Sequence, residues 1–593
     1  MRKLLLSIAV LAGAFTSFGQ VSFSITAPGG LAGDYAFEWA EPDGTWSTPD
    51  FNVPNTNVSG TCILTDDATP GTSTTASGHP LAYEACNAAG GAFVNAAAIN
   101  GNVAVLYRGS CEFGSKALAC QDAGAIAVII INHSGDPVGM GAGADGGSVT
   151  IPVIMVSTMT GDAIVDELQN GGGVVDVFIG NKQNLYANDM GAKAGESIVS
   201  DYGGAHSAIY DGFTPGIQVY NFGSADNGVI VTATITSPGS AIDYTSTVGP
   251  ITILSGDTLS IFAGNPEDFG PWNAGIGNYP NGEYTLSYDI SIDGQTDEDP
   301  VDNAQSFTFW VNDGVISLSN LDATGNVVAD DYPFNATNNY QACMMFQEPN
   351  ASTLGVRGMY FIPYTDTSQF ELEGTEVLLY AYQWNDTWVD VTNPGFTSFN
   401  EYVTDYPVIT TASYVVPSND DNGDVAYADF GTPFVLQDNV RYLFCLESTD
   451  LANEISFGYD GTIDYDGNYG IYLQPISPVF VDDTWYTGWS GLSAPSIGLR
   501  TFDPAELGLD NTEMLEGSAY PNPANDMVTV LVGGEGAATL QVTDLAGKVA
   551  MTSDVTLMNG TTNVNIASLE SGVYIFNVTL ENGQTAQFNV VKN

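Results

Sequence analysis

The sequence predicts a multidomain, mainly β protein with one α/β unit near its N-terminus. Three observations carry that prediction. Strands alternate with helices only between residues 100 and 170. From about Ile217 onward the apolar period is two, with Gly, Pro, Asn and Asp turns between short runs. Hydrophobic residues make up 44% of the chain and aromatics 11%. That is enough to build cores, so the acidic composition does not imply disorder.

In the α/β unit, 103–107 is a buried strand, 114–123 has helical spacing, and Gly124 closes it as a C-cap. Segments 126–131 and 151–156 read as further strands and 160–168 as a second helix. The string Arg108-Gly-Ser-Cys-Glu-Phe-Gly-Ser-Lys116, then Gln121-Asp-Ala-Gly-Ala125 and Ile126-Ala-Val-Ile-Ile-Ile-Asn132, resembles the protease-associated (PA) domain. Met140, Ile151-Pro152-Val153 and Gly161-Asp162 continue the match, closest to the form in secreted fungalysin-like metallopeptidases and subtilases. The resemblance assigns residues 20–182 to this domain and implies a module that binds protein or peptide without chemistry of its own. Gly141 to Gly146 satisfies Gly-x-Gly-x-x-Gly, but it leads into a strand rather than a helix, which argues against phosphate binding. In so acidic a chain Arg108 and Lys116 are expected to pair internally, and His133 to be a loop residue.

Segments 217–220, 229–235, 251–254, 259–262, 284–292 and 307–311 then suit an immunoglobulin-like β-sandwich over 183–315. Asp293, Asp297, Asp299 and Asp302 crowd one of its loops; oxygen ligands at this density suit calcium, without EF-hand spacing. Segments 356–363, 377–382, 425–430, 441–445, 470–473 and 496–502 suggest a jelly-roll-like sandwich over 316–504. It carries Trp384, Trp388, Trp485 and Trp489, with Asp420 to Asp424 and Asp464-Tyr465-Asp466 nearby. Flat aromatics beside polar side chains can grip a glycan, although large aromatics more often fill cores. Asp420 and Asp424 are a second candidate calcium loop.

The last segment, 512–593, contains Tyr520-Pro521-Asn522-Pro523-Ala524-Asn525, Asp544-Leu545-Ala546-Gly547-Lys548 and Leu569-Glu570-Ser571-Gly572-Val573-Tyr574-Ile575. Alternating runs at 527–532 and 574–580 lie between these turn-rich marks. Together they resemble the C-terminal sorting domain of Bacteroidetes type IX secretion cargo. The resemblance implies a small β-sandwich read by the type IX machinery, with the cargo released or anchored to surface lipopolysaccharide. The other end agrees. Arg2 and Lys3 precede an apolar run from Leu4 to Phe15, then Ser17-Phe18-Gly19, a signal peptide over 1–19 with cleavage expected after Gly19. No Cys stands at that point, which argues against a lipoprotein. No other run approaches the roughly twenty apolar residues of a spanning helix, so the mature protein is expected outside the cell.

The formal charge of −58 repels phosphate backbones and excludes nucleic-acid partners. Six cysteines in an exported chain read first as disulfides. Cys343–Cys445 is the simplest pair, and Cys62, Cys86, Cys111 and Cys120 leave three connectivities open. The mature chain has only His79, His133 and His206, with no His-Glu-x-x-His and no Gly-x-Ser-x-Gly. The expected function is therefore non-enzymatic binding or adhesion to an extracellular protein, peptide or glycan. An accessory or degenerate relative of a secreted peptidase is the first alternative. A carbohydrate-binding protein or two-carboxylate glycoside hydrolase is the second.

Overall fold

The computed structural model describes residues 21–507 and 515–593, except 74–77, 134, 136, 240, 334–338, 368, 385–388, 393–406, 449, 483, 489–492, 516, 545–547 and 581–583. The expected signal peptide lies outside the described residues. Two compact units divide the chain, Met1–Phe502 and Asp503–Asn593.

The upstream unit opens with β1 (Val21–Ala27), β2 (Gly33–Asp34), β3 (Phe37–Trp39), β4 (Asn57–Leu64) and α1 (Ala96–Ile99). There follow β5 (Val103–Tyr107), α2 (Phe113–Asp122), β6 (Ala127–Ile131), β7 (Val153–Val156), α3 (Thr158–Asn170) and β8 (Asp176–Asn181). These strands form one eight-stranded sheet in the order β2-β1-β8-β4-β5-β6-β7-β3, with β4 through β7 parallel. The central strands are apolar on both sides because both faces are covered. Ala104, Leu106, Val128, Ile130 and Met155 point into one core. Val103, Val105, Ile129, Ile131 and Ile154 point into the other. Helix α2 stops where expected: Gly124 takes φ +90° and its N–H reaches the Gln121 carbonyl at 2.9 Å. Helix α3 begins earlier than its spacing suggests, because the Ser157 hydroxyl caps the Thr160 N–H.

The two β regions do not separate at residue 315. A nine-stranded sheet runs from Ala241–Ile253 through Asn227–Ser237, Gly282–Ile292, Ala304–Asn312 and Gly204–His206 to Val315–Ser317, then on to Gly498–Phe502, Gly355–Phe361 and Ala426–Val435. Val315–Ser317 is the splice. It is buried throughout, pairing with Gly204 on one side and with Gly498–Arg500 on the other. A second sheet of six strands includes Glu376–Gln383, Tyr442–Ser448 and Tyr340–Phe346. One core spans both regions, from Val231, Tyr284 and Phe309 to Tyr340, Phe361, Phe444 and Leu499. The expected strand at 470–473 belongs instead to the helix Asp466–Tyr472. Tertiary contacts decide this. The Asn468 side chain bonds both backbone groups of Val199, and a Cβ on Gly467 would meet the Ser197 carbonyl at 2.1 Å.

The second unit is a small two-sheet sandwich. Gly517–Tyr520, Met527–Val532 and Thr561–Asn565 form one sheet; Val549–Leu557, Gly536–Asp544, Gly572–Leu580 and Thr585–Lys592 form the other. Val528, Val530, Leu540, Val542, Phe576 and Val578 fill it. Within the Tyr-Pro-Asn-Pro motif, Asn522 clamps the last strand: its Oδ1 accepts from the Val591 N–H at 2.8 Å and its Nδ2 donates to the Asn589 carbonyl at 2.9 Å.

Candidate binding cleft and the carboxylate cluster beside it

Inside the α/β domain the basic residues are structural. Lys116 is fully buried and donates to the carbonyls of Glu84 at 2.6 Å and Tyr107 at 3.1 Å. His79 stacks on Tyr107 with ring centroids 4.1 Å apart and meets Glu84 at 3.1 Å. Arg108 donates to Asn132 at 3.0 Å and covers Phe113. Burial, then the neighbouring Arg108, pushes His133 down to about 4. In the glycine loop two N–H groups are engaged by the protein itself: Glu112 accepts from Ala144 at 2.9 Å and the Ala142 carbonyl accepts from Gly146 at 3.0 Å. His206 lies in a strand, buried, and accepts from the Ala208 N–H at 3.1 Å through Nδ1.

A cleft of about 420 Å³ lies between this domain and the β body, room for a small ligand or a few side chains of a partner. Strands β2 and β3 and the start of α3 supply Asp34, Tyr35, Phe37, Glu38, Met159 and Thr160. The β body supplies Phe307, Ile463, Asp464, Asp466, Gln305 and Asp302. Its floor is thus partly apolar, while its charged side chains are carboxylates. Burial, then the adjacent Asp466 carboxylate, pushes Asp464 up to about 7. Burial pushes Asp466 up to about 6. The two walls are tied nearby, where Asp331 accepts from the Gly135 N–H at 2.8 Å.

At the inner edge of the cleft stands Lys182, which follows β8 and is fully buried. Its Nζ lies 2.8 Å from Asp302, 3.0 Å from Asp299 and 3.7 Å from Asp34. Burial alone would lower Lys182, but Asp302, Asp34 and Asp299 outweigh it and hold the ammonium well above its ordinary range. Asp189, Asp299 and Asp302 each place a carboxylate oxygen within 4.8 Å of the others. Burial pushes Asp189 up to about 8, against the pull of Lys182.

The acidic loop flagged in the sequence is therefore split. Asp299 and Asp302 enter the Lys182 cluster. Asp297 accepts from the Met190 N–H at 3.0 Å and the Asp299 N–H at 3.0 Å, and Asp293 is exposed. Asp189 went unflagged because it stands alone far upstream. Asp34 and Glu38 likewise carry no local signal that links them to residues some 270 to 430 positions downstream, whereas Asp464-Tyr465-Asp466 is a visible acidic pair. Asp420 and Asp424 are exposed at a turn where the Ser418 hydroxyl accepts from the Asp420 N–H.

The tryptophans do not form an exposed platform from Trp384 and Trp485. Both are buried, 4% and 6% exposed, in a small core with the Cys343–Cys445 disulfide. Trp388 and Trp489 lie outside the described residues. Cys343 and Cys445 face each other on adjacent antiparallel strands, with Cα atoms 4.1 Å apart. Cys86–Cys111 is the second disulfide. Cys62 and Cys120 are buried thiols in opposite cores, so not every cysteine of this exported chain is paired.

Residues 75–164 match the PA domain family model, and residues 518–592 match the secretion system C-terminal sorting domain. No curated protein matches the chain. Among solved structures, part of the fold is similar to an aminopeptidase from Aneurinibacillus sp. strain AM-1, at 16% identity over 28% of this chain and 30% of that one, TM-score 0.19. A peptidase M28 precursor from Shewanella amazonensis SB2B gives 15% identity over 27% and 34%, TM-score 0.19. A β-glucuronidase from Ruminococcus gnavus gives 10% identity over 43% and 35%, TM-score 0.12. The chain thus spans only about a third of the length of each, and likenesses this slight carry no argument about activity. Among the described residues, no helix is long and apolar enough to cross a membrane. The sorting domain indicates type IX secretion to the cell surface or the extracellular space.

Proposed function

We propose that this type IX cargo with a PA domain is an extracellular binding protein, and that its PA domain and β body together grip a protein or peptide segment bearing Lys or Arg side chains. One observation carries the reading: both walls of the cleft combine carboxylates (Glu38, Asp464, Asp466) with apolar surface (Tyr35, Phe37, Met159, Phe307, Ile463). A lysine or arginine stem covers apolar surface while its head meets a carboxylate. Binding of the mature chain to peptides differing only in net charge tests this. Cationic members should bind and acidic ones should not; an absence of charge preference would overturn it.

The raised pair Asp464 and Asp466 favours one competitor, a two-carboxylate glycoside hydrolase, because such chemistry needs one carboxyl kept protonated near neutrality. Incubation with casein and a polysaccharide panel separates the readings. We expect no product from either. Polysaccharide turnover lost in Asp464→Asn or Asp466→Asn would select the hydrolase; casein turnover would select the peptidase relative.

A further inference from the structure

The cluster around Lys182 holds more buried negative charge than its cation neutralises. Asp34, Asp299 and Asp302 all lie within 4.0 Å of the one ammonium. Asp302 gives only Oδ2 to Lys182; its Oδ1 is buried with no hydrogen-bond partner. Asp189 is 0% exposed, and neither of its carboxylate oxygens has a hydrogen-bond partner. An unpaired buried carboxylate costs several kcal/mol, so a side chain with both oxygens unsatisfied needs a ligand beyond the cluster's own contacts.

The backbone holds the oxygens in place. Glu298 accepts from the N–H groups of Ala187 and Asn188, both at 2.8 Å, and Asp297 accepts from Met190. The loop bearing Asp299 and Asp302 is thereby fastened to the segment bearing Asp189. Gly191 leaves the space open: a Cβ there would stand 2.2 Å from the Asp302 carboxyl.

We infer that Asp189, Asp299 and Asp302 hold a hard divalent cation, calcium in the first instance, on the side of the cluster away from Lys182. Every donor is a carboxylate oxygen, which suits calcium over the nitrogen- and sulfur-seeking metals. All three ligands belong to the β body, so the ion would brace the Asp189 segment against the Asp299–Asp302 loop, beside the point where Lys182 of the PA domain contacts Asp299 and Asp302. The inference does not rest on the peptide-binding reading, and its readouts involve no peptide.

The test uses the mature full-length chain stripped with chelator. Calcium titration by calorimetry should show one site tighter than the weak background of the acidic surface, and the upstream melting transition should rise by several degrees on adding calcium. Asp189→Asn should lose that site, weakening calcium at least tenfold. The exposed-loop variant Asp420→Asn/Asp424→Asn should retain it. Circular dichroism reports whether Asp189→Asn folds; if it does not, Asp299→Asn serves in its place. No tight site in the wild-type chain, a melting transition indifferent to calcium, or full calcium affinity in a folded Asp189→Asn chain would each overturn the inference.

Discussion

The upstream unit buries Glu84, Lys116, Lys182, Asp189, Asp302, Asp331, Arg441 and Asp460, whereas the sorting unit buries no charged side chain among its described residues. The sorting core is Val528, Val530, Val532, Leu540, Val542, Phe576 and their neighbours. Apolar cores are non-directional and tolerate context. Buried charges must find specific partners, usually from distant parts of the chain. A portable address and a site-bearing body thus differ in how each manages polarity. That difference can be broken experimentally.

The largest effect expected is on export. Deleting residues 515–593 should abolish appearance outside the cell, while the upstream melting transition stays where it was. Surface display of the truncated chain would remove the sorting unit's assigned role. Next comes Lys182→Met, which strands Asp34, Asp299 and Asp302 without their ammonium. In chelator it should cost about 3–5 kcal/mol in the upstream transition, the scale for removing one partner of a buried ion pair. The sorting transition should not move. Removing the Cys343–Cys445 disulfide by paired Cys→Ala changes should cost about 2–4 kcal/mol, with an upper bound of about 4.7 from the chain-entropy model of a long loop. Calorimetry with and without the substitutions checks both.

The pH response is smaller and has a defined sign. Burial raises Asp331 to about 6 and Glu348 to about 7, and the Asp464–Asp466 pair to about 7 and 6. Their unfolded values lie near 3.9 for Asp and 4.3 for Glu. Groups raised on folding contribute stability that is complete below the unfolded value and is lost as pH rises through the folded one. The upstream transition should therefore fall by several degrees between pH 5 and pH 8. A transition that climbs over this interval would contradict the burial of these groups.

How much of this was legible in the sequence depended on the range over which each feature is encoded. Strand β5 appeared with its full span, because a continuous apolar run between turn signals is a local pattern. The end of α2 appeared because Gly124 alone supplies a left-handed cap. The sorting strand Met527–Val532 showed for the same local reason. The splice at Val315–Ser317 did not, since three buried residues between Asp313-Gly314 and Asn320 look like a linker until their partners at Gly204 and Gly498 are known. Helix Asp466–Tyr472 was hidden because its contacts to Val199 and Ser197 are distant. The site followed suit. Asp299 and Asp302 were visible as members of an acidic loop, but Lys182 and Asp189, which decide what that loop does, are single residues far upstream. Trp384 and Trp485 signalled recognition by type alone, and burial beside the disulfide gave them a packing role.

The central claim is that ligand binding belongs to the upstream unit and to the carboxylates of its cleft. Its most direct measurement is calorimetric titration of the mature chain with a lysine-rich peptide at pH 8, set against the Asp464→Asn/Asp466→Asn variant. Loss of charge-assisted hydrogen bonds worth about 1.5–3 kcal/mol predicts roughly 10- to 100-fold weaker binding in the variant. Equal affinity in the two chains, or no binding to the wild-type protein, would contradict it.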